Sequence, residues 1–378
     1  MKNIFFMSSN GFPSNLNRNT GIFTYEQAKA ANLKNSVVLV DLQSNTSNSI
    51  YKDSFDGINI HRLLYAKYNL FKVFKNVIYL NRLKKKYAPI LLICSFLNLK
   101  NVFYTFILNI KTITIIHGSD AVVINKLKKL IYNYYLIKNH KIVTVSNYTK
   151  NVLLRYFKST LIKKKIKVVF NGFSKKKLNI LNKKFSKRIS KKKIIISCVA
   201  NAIPRKNILF LIDVFRELNF KHPGKYYLII AGGFGPDTNK IQYSIKQYGL
   251  KNEILFKQNL LNSEISTILK LSKFFCLFGK EVNREFEGFG IVFIEAMFTK
   301  NVILSSNHGG IKNIIQNGEN GYLFEIKKRD VIKKIIKKIE FFSKNKKERK
   351  KIVDKAYTFS LNFSWKKNIN EIINLSLK

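Results

Sequence analysis

The chain has 378 residues, 46% apolar and 13% aromatic, enough interior for two domains of ordinary size; that excludes a disordered polymer and argues against one oversized fold. The 69 Lys and Arg against 21 Asp and Glu leave a formal charge of +48. The excess is spread evenly, 30 basic and 5 acidic side chains in residues 1–182 against 39 and 16 beyond, so no dedicated nucleic-acid arm stands out.

Ile4 to Ser8 reads as a first buried strand, its apolar stretch being too short for a signal-peptide core. Gly11-Phe12-Pro13 and Thr20-Gly21-Ile22-Phe23 follow as a glycine-bearing loop that enters a helix. Taken alone, Gly21 reads as an ordinary loop glycine before a helix, because one glycine is a weak signal. Ser36 to Leu42 is the next strand. From Leu70 to Leu80, apolar residues recur at helical spacing with lysines in the gaps, before Arg82 and Lys84-Lys85-Lys86. Two readings fit: a helix lying in a membrane interface, or a core-packed helix with a solvated basic face. Ile90 to Ser95, Thr112 to His117 and Lys141 to Val145 continue the strands of a first domain. The most apolar region, Pro89 to Ile116, is broken by Lys100 and Lys111 and falls short of the ~18 uninterrupted residues of a membrane span.

Open α/β sheets bind ligands outside the carboxyl ends of their strands. His117-Gly118-Ser119-Asp120 stands at such an end; a lone His there is by itself more often structural, and Asp120 suits fixing the turn or capping the next helix. No acid occurs between Asp120 and Asp213, and fifteen basic residues crowd Lys158 to Lys193. Such runs are drawn to anionic lipid at roughly 1 kcal/mol per charge; the abundance of Lys, Asn, Ile, Phe and Tyr, all A/T-rich codons, offers genomic base bias as the other cause. Polar and Lys-Ser runs between Asn179 and Lys192 mark the expected boundary: a first domain over 1–182, a second over 183–358 and a terminal helix over 359–378 returning to the first. Lys193 to Ala200, Tyr226 to Ala231, Ile254 to Lys257, Phe274 to Phe278 and Asn301 to Ser305 are the strands of the second. The alternation of short strands and amphipathic helices predicts an α/β chain with two Rossmann-like, doubly wound parallel sheets. Cys94, Cys198 and Cys276 fall inside these apolar runs without paired or metal-ligand spacing, which fits buried, reduced thiols in a cytosolic protein.

Within the second domain, Arg205 and Lys206 lie in the segment after its first strand, and Gly232-Gly233-Phe234-Gly235 follows the strand ending near Ala231. Further on, Glu287-Gly288-Phe289-Gly290-Ile291-Val292-Phe293-Ile294-Glu295 sets two carboxylates around a Gly-aromatic-Gly turn. Backbone N–H groups can approach a ligand at such a turn, and a helix beyond it directs its positive end there. Counted as helix, the spacing puts the acids about two turns apart, as if to grip opposite ends of an extended polyol. A capped helix on an ordinary α/β domain has the same letters.

This segment resembles the Glu-x7-Glu signature of the retaining nucleotide-sugar glycosyltransferases of family 4, which have the two-domain GT-B architecture with a cleft between the domains. The likeness extends over nearly the whole chain and is strongest from Phe274 to Phe324, through Asn307-His308-Gly309-Gly310 and Asn317-Gly318-Glu319-Asn320-Gly321. It implies catalytic roles for His117, Lys206 and Glu287. Donor binding falls to Gly21, Arg205, Lys206, Gly233, Glu287, Gly288, Phe289, Gly290 and Glu295, with Glu287 on sugar hydroxyls and Glu295 on the ribose. Two departures stand out: Asn201 replaces the family Arg of the diphosphate site, and Lys312-Asn313 replace a common Pro-Glu.

The implied activity is retaining transfer of a sugar from a UDP- or GDP-linked donor to a glycan or lipid-linked acceptor, in cell-surface polysaccharide or lipopolysaccharide synthesis. No metal or other cofactor is expected, since no Asp-x-Asp pair suits Mg²⁺. The expected setting is cytoplasmic, peripheral on an anionic membrane, without nucleic acid. A silent sugar-nucleotide-binding module and a basic nucleic-acid-binding protein remain as alternatives from other classes.

Overall fold

A computed structural model describes residues 2–14, 20–45, 49–66, 69–187 and 193–377. The chain divides into two compact units, Met1–Gly172 with Trp365–Lys378, and Phe173–Ser364.

The first unit holds β1 (Asn3–Ser8), β2 (Ser36–Asn45), β3 (Tyr51–Phe55), β4 (Ile58–Leu64), β5 (Leu91–Ser95), β6 (Thr112–Ile116), β7 (Lys141–Thr144) and β8 (Ile166–Val168). They form one sheet in the order β3-β4-β2-β1-β5-β6-β7-β8. Every pairing is parallel except that of β3 with β4. The central strands β5 and β6 are buried along their whole length, as parallel strands covered by helices on both faces must be. Side chains of alternating strand positions, including Phe5, Met7, Val40 and Leu92, pack with Leu80, Leu83 and Leu108 from two helices into one core.

The β3–β4 hairpin lies outside the expected strands, yet its signal is present. Asp56-Gly57 joins Phe55 to Ile58 with φ of 45° and 79°. Two left-handed residues in a two-residue turn match the right-handed twist of a hairpin, and Asp-Gly adopts them at low cost. The hairpin carries Arg62, which is fully buried; its guanidinium donates to Asp41 at 2.6 Å, Asp53 at 2.8 Å and the Pro13 carbonyl at 2.6 Å. Asp41 also accepts the Phe12 N–H at 3.2 Å. The loop after β1 is therefore held by a buried ion pair.

The second unit holds β9 (Ile194–Val199), β10 (Tyr226–Gly232), β11 (Ile254–Gln258), β12 (Phe274–Leu277), β13 (Val302–Ser306) and β14 (Tyr322–Phe324), all parallel, in the order β11-β10-β9-β12-β13-β14. The division falls earlier than the lysine-rich composition indicated. Leu178 accepts a hydrogen bond from Ser266 Oγ at 2.7 Å, and the Asn182 N–H donates to Thr267 Oγ1 at 2.8 Å, so 173–182 belongs with the second sheet. Lysine runs mark exposed side chains, whereas these anchors are one buried leucine and two backbone groups. At the other end, 359–364 stays in the second unit and the helix Trp365–Asn374 belongs to the first, against Ile22–Ala31. There Asn368 accepts from Gln27 at 3.0 Å and donates to the Phe170 carbonyl at 2.8 Å.

Cys94, Cys198 and Cys276 are buried free thiols in β5, β9 and β12. Among the described residues no helix is long and apolar enough to cross a membrane.

Candidate functional site

In the second sheet the strand order reverses between β9 and β12: β10 and β11 extend to one side, β13 and β14 to the other. At such a point the loops leaving adjacent strand ends diverge and open a crevice for ligands. Arg205 and Lys206 leave from β9, Glu287 from β12.

Pro204–Lys206 is a single 3-10 turn that starts on proline, whose fixed φ suits a helical first position, and ends at Asn207 with φ 53°. Asn207 Nδ2 donates to the Phe278 carbonyl at 3.1 Å and the Lys280 N–H to the Arg205 carbonyl at 2.9 Å, tying this turn to the end of β12. Adjacent side chains need not face the same way, but here both reach one carboxylate. Lys206 Nζ donates to Glu287 Oε2, and Arg205 Nη1 meets the same oxygen at 3.0 Å. Burial alone would raise the Glu287 pKa; the Lys206 ammonium and the Arg205 guanidinium outweigh it and hold the carboxyl below its ordinary range.

The Glu287 backbone is held in turn. Its carbonyl accepts the Gly310 N–H at 2.7 Å, and a Cβ on Gly309 would stand 2.6 Å from that oxygen. His308, just before these glycines, lies in the electrostatic reach of Glu281, Glu287 and Arg205, with burial as the main influence lowering its imidazole pKa. Position alone did not single out His308.

Gly288, Phe289 and Gly290 complete the turn. Phe289 buries its ring beside Phe363, centroids 6.1 Å apart, so the side chain packs rather than projecting as a sugar platform. Gly290, at φ 89°, is the N-cap of the helix Ile291–Phe298. This corrects the spacing argument: four of the nine residues from Glu287 to Glu295 form the turn, so the acids are not two helical turns apart. They also meet different neighbours. Burial pushes the Glu295 carboxyl up to about 7, opposed by the Lys177 ammonium.

Gly233 follows β10, and its N–H donates to Asn201 Oδ1 at 3.0 Å. A Cβ on Gly232 would meet the Ala200 carbonyl oxygen at 1.9 Å, and one on Gly233 would meet Asn201 Oδ1 at 2.8 Å. The glycine turn therefore lies directly on the loop after β9, and Asn201 ties the two together.

In the first unit, the sheet order reverses between β1 and β5. Gly21, at φ 57°, begins the helix Ile22–Ala31, and a Cβ there would meet the Gly11 carbonyl oxygen at 2.0 Å. That close packing on the loop after β1 is reason enough for glycine. His117 follows β6 with its ring against Phe96, centroids 4.6 Å apart. Both ring nitrogens are buried without a hydrogen-bond partner among the described residues, and burial lowers the pKa to about 4, which leaves a neutral imidazole at pH 7. Asp120 accepts the N–H groups of His117 at 3.0 Å, Gly118 at 2.7 Å and Leu97 at 3.2 Å. It fixes the turn; burial still raises its pKa to about 6 against those hydrogen bonds. No group of three or more potential metal ligands occurs among the described residues.

The chain is similar in sequence and in fold to known glycosyltransferases. An uncharacterized glycosyltransferase of Methanocaldococcus jannaschii is 27% identical over 269 residues, covering 69% of this chain and 66% of the relative. The N-acetyl-alpha-D-glucosaminyl L-malate synthase of Bacillus anthracis is 25% identical over 224 residues, 57% of this chain and 55% of that protein. The chain thus spans just under two thirds, or little over half, of these relatives. In fold it is similar to Anabaena HepE, solved with UDP and glucose, at a TM-score of 0.77 and 14% identity over 100% of this chain and 99% of that one. The fold is α/β with two parallel-sheet domains, as in GT-B glycosyltransferases. Residues 179–359, most of the second unit, match the family model described as Glycosyl transferases group 1.

Proposed function

We propose that the chain is a retaining glycosyltransferase that moves a sugar from a nucleotide-sugar donor to a glycan or lipid-linked acceptor, without a metal. The observation that carries this reading is the convergence of Arg205 and Lys206 on Glu287 where the second sheet reverses, beside a glycine turn and a helix N-terminus.

In such a transfer the bond from anomeric carbon to diphosphate breaks while the acceptor hydroxyl bonds to that carbon and gives up its proton. Negative charge grows on the leaving phosphate, and pre-placed donors stabilise it without reorganising. Lys206 and Arg205 are those donors, with the N–H groups at the start of Ile291–Phe298. Glu287 accepts hydrogen bonds from sugar hydroxyls and Glu295 from the ribose. Gly21 and Gly233 let the backbone approach the diphosphate and the nucleoside. Neutral His117 has one donor and one acceptor nitrogen for the transferred sugar.

UDP is the favoured nucleotide, because HepE, similar in fold, is solved with it; GDP is the second choice. Synthesis of cell-surface polysaccharide or lipopolysaccharide suits an enzyme with an acceptor of this kind. A silent sugar-nucleotide-binding module is the second reading, favoured by Asn201 and Asn313 at the two departures from the family pattern.

A panel of UDP- and GDP-sugars, screened first for a rise in melting temperature and then for release of nucleoside diphosphate with added acceptors, tests both readings. Stabilisation with turnover supports the enzyme. Stabilisation without turnover supports the silent module, and no stabilisation by any donor overturns both.

A further inference from the structure

Three helices of the first unit leave an unusual surface. Leu70–Tyr87, Leu99–Leu108 and Lys126–Lys138 connect β4 to β5, β5 to β6 and β6 to β7. Those connections all step the same way across the sheet, so right-handed crossovers put the three helices on one face. The helix Ile22–Ala31 steps the other way and lies opposite, with Trp365–Asn374. Side chains join the three into a continuous layer: Asn76 Nδ2 donates to Tyr104 OH at 3.1 Å, and the rings of Phe106 and Tyr134 stand 5.7 Å apart.

Each helix buries one side and leaves large apolar side chains in solvent on the other. On the first, Leu80 and Leu83 enter the core while Leu70, Phe71 and Phe74 are exposed, Leu70 to 85%. The second exposes Phe103 and Phe106, and the third Leu127, Leu130 and Tyr134. Lysines stand between them, including the exposed Lys75, Lys128 and Lys129. No Asp or Glu occurs from 57 to 119 or from 121 to 212. At one edge, Phe106 and Leu161 line a cavity of about 770 Å³ whose other walls include Lys138, Lys141, Lys164 and Lys165.

We propose that this three-helix face docks on an anionic lipid bilayer, its apolar side chains entering the interface and its lysines meeting lipid phosphates. Charge decides the occupant. A second copy would set lysine against lysine, and a protein partner would need acids matched one by one to scattered cations. A lipid leaflet offers apolar depth and continuous negative charge together, the combination that interfacial helices use. The proposal is independent of the donor site, so failure of either leaves the other standing.

Sedimentation with vesicles of equal phosphatidylglycerol and phosphatidylcholine, against pure phosphatidylcholine, is the test. The full chain is expected to partition to the anionic vesicles, less so at high salt. A variant with Leu70→Ser, Phe71→Ser and Phe74→Ser, on exposed side chains outside the core, should melt close to the parent and partition at least about tenfold less. Phe220→Ser, on a still more exposed phenylalanine of the second unit, should partition like the parent. A second measurement reports insertion. The native thiols are buried, with Cys94 and Cys198 pushed up to about 12, so an environment-sensitive fluorophore should label only Phe71→Cys, and its emission should shift to the blue on anionic vesicles. Equal partitioning of the triple variant and parent would mean attraction by net charge alone and would overturn the proposal. So would indifference to lipid charge, or a label that reports no apolar surroundings.

Discussion

Glu295→Gln should make the protein more stable in alkaline solution and leave it unchanged in acid. Burial lifts the Glu295 carboxyl from 4.5 to about 7 despite Lys177. The folded state therefore holds this proton more tightly than the unfolded chain does. Its stabilising contribution is complete below about pH 4.5 and is lost as pH rises through about 7. At 1.36 kcal/mol per unit, the ionised carboxylate costs about 3 kcal/mol at pH 8. The amide carries no such cost. For a unit of this size 1 kcal/mol moves the melting temperature by about 2–4 °C, so the variant should melt about 6–12 °C higher at pH 8 and within about 2 °C of the parent at pH 4.5. Differential scanning calorimetry across pH 4.5 to 8 reads this directly. An offset that does not change with pH, or a variant that is less stable at pH 8, would refute the electrostatic account. Under the proposed role of Glu295 on the donor ribose, the same substitution should weaken donor binding, since ribose hydroxyls would favour the ionised form. Parent affinity for a nucleotide sugar should rise from pH 5.5 to 8, and that of Glu295→Gln should stay flat.

Three further outcomes follow from named contacts. Lys206→Ala should lower kcat by about 10²–10³ while changing KM less than about tenfold, as expected for a donor that meets charge growing on a leaving group; steady-state kinetics with the active donor decide. Arg62→Met should cost about 3–5 kcal/mol in urea unfolding, because it removes the counter-charge of the buried Asp41 carboxylate and loosens the loop that carries Phe12 and Pro13. Gly232→Ala should cost about 1–3 kcal/mol by pushing the Ala200 carbonyl away from the end of β10, seen as a lower melting temperature with unchanged secondary structure.

Most of the fold was legible because parallel strands buried on both faces write themselves as short apolar runs, and ten of them stand out between helical patterns. The hairpin β3–β4 was harder: Tyr51–Phe55 alternates with charged residues and has little apolar content, and only Asp56-Gly57 announces it. β14 is three residues long, below the length at which a period can be recognised. The unit boundary is hard to read because lysine density reports exposure, whereas Leu178 and Asn182 are held by contacts with Ser266 and Thr267, some ninety residues away. At the candidate site, residue types and their strand-end positions were readable. Their partners were not: nothing in the letters says that Arg205 and Lys206 bend to one oxygen, or that Asn201 holds the N–H of Gly233. The Arg62 cluster went unread for the same reason, its acids lying 9 and 21 residues away.

The shared carboxylate has a consequence for how a diphosphate would enter. In the free protein Glu287 neutralises one of two adjacent cations, both of them largely shielded from water. An incoming diphosphate must draw Arg205 and Lys206 away from it, at a cost set by their attraction: about 4 kcal/mol for unit charges 4 Å apart at an effective dielectric of 20. Part of that cost returns when sugar hydroxyls donate to the freed carboxylate, and a bare nucleoside diphosphate has no such hydroxyls to offer. Under the proposed function, Glu287 should therefore favour donor over product and hasten release of the leaving group. Glu287→Gln removes the competitor and should bind UDP or GDP about tenfold or more tightly by calorimetry, while its turnover falls because the sugar is no longer held. If the nucleoside diphosphate binds the variant no better than the parent, the cations are not restrained by Glu287 and serve some purpose other than gripping phosphate.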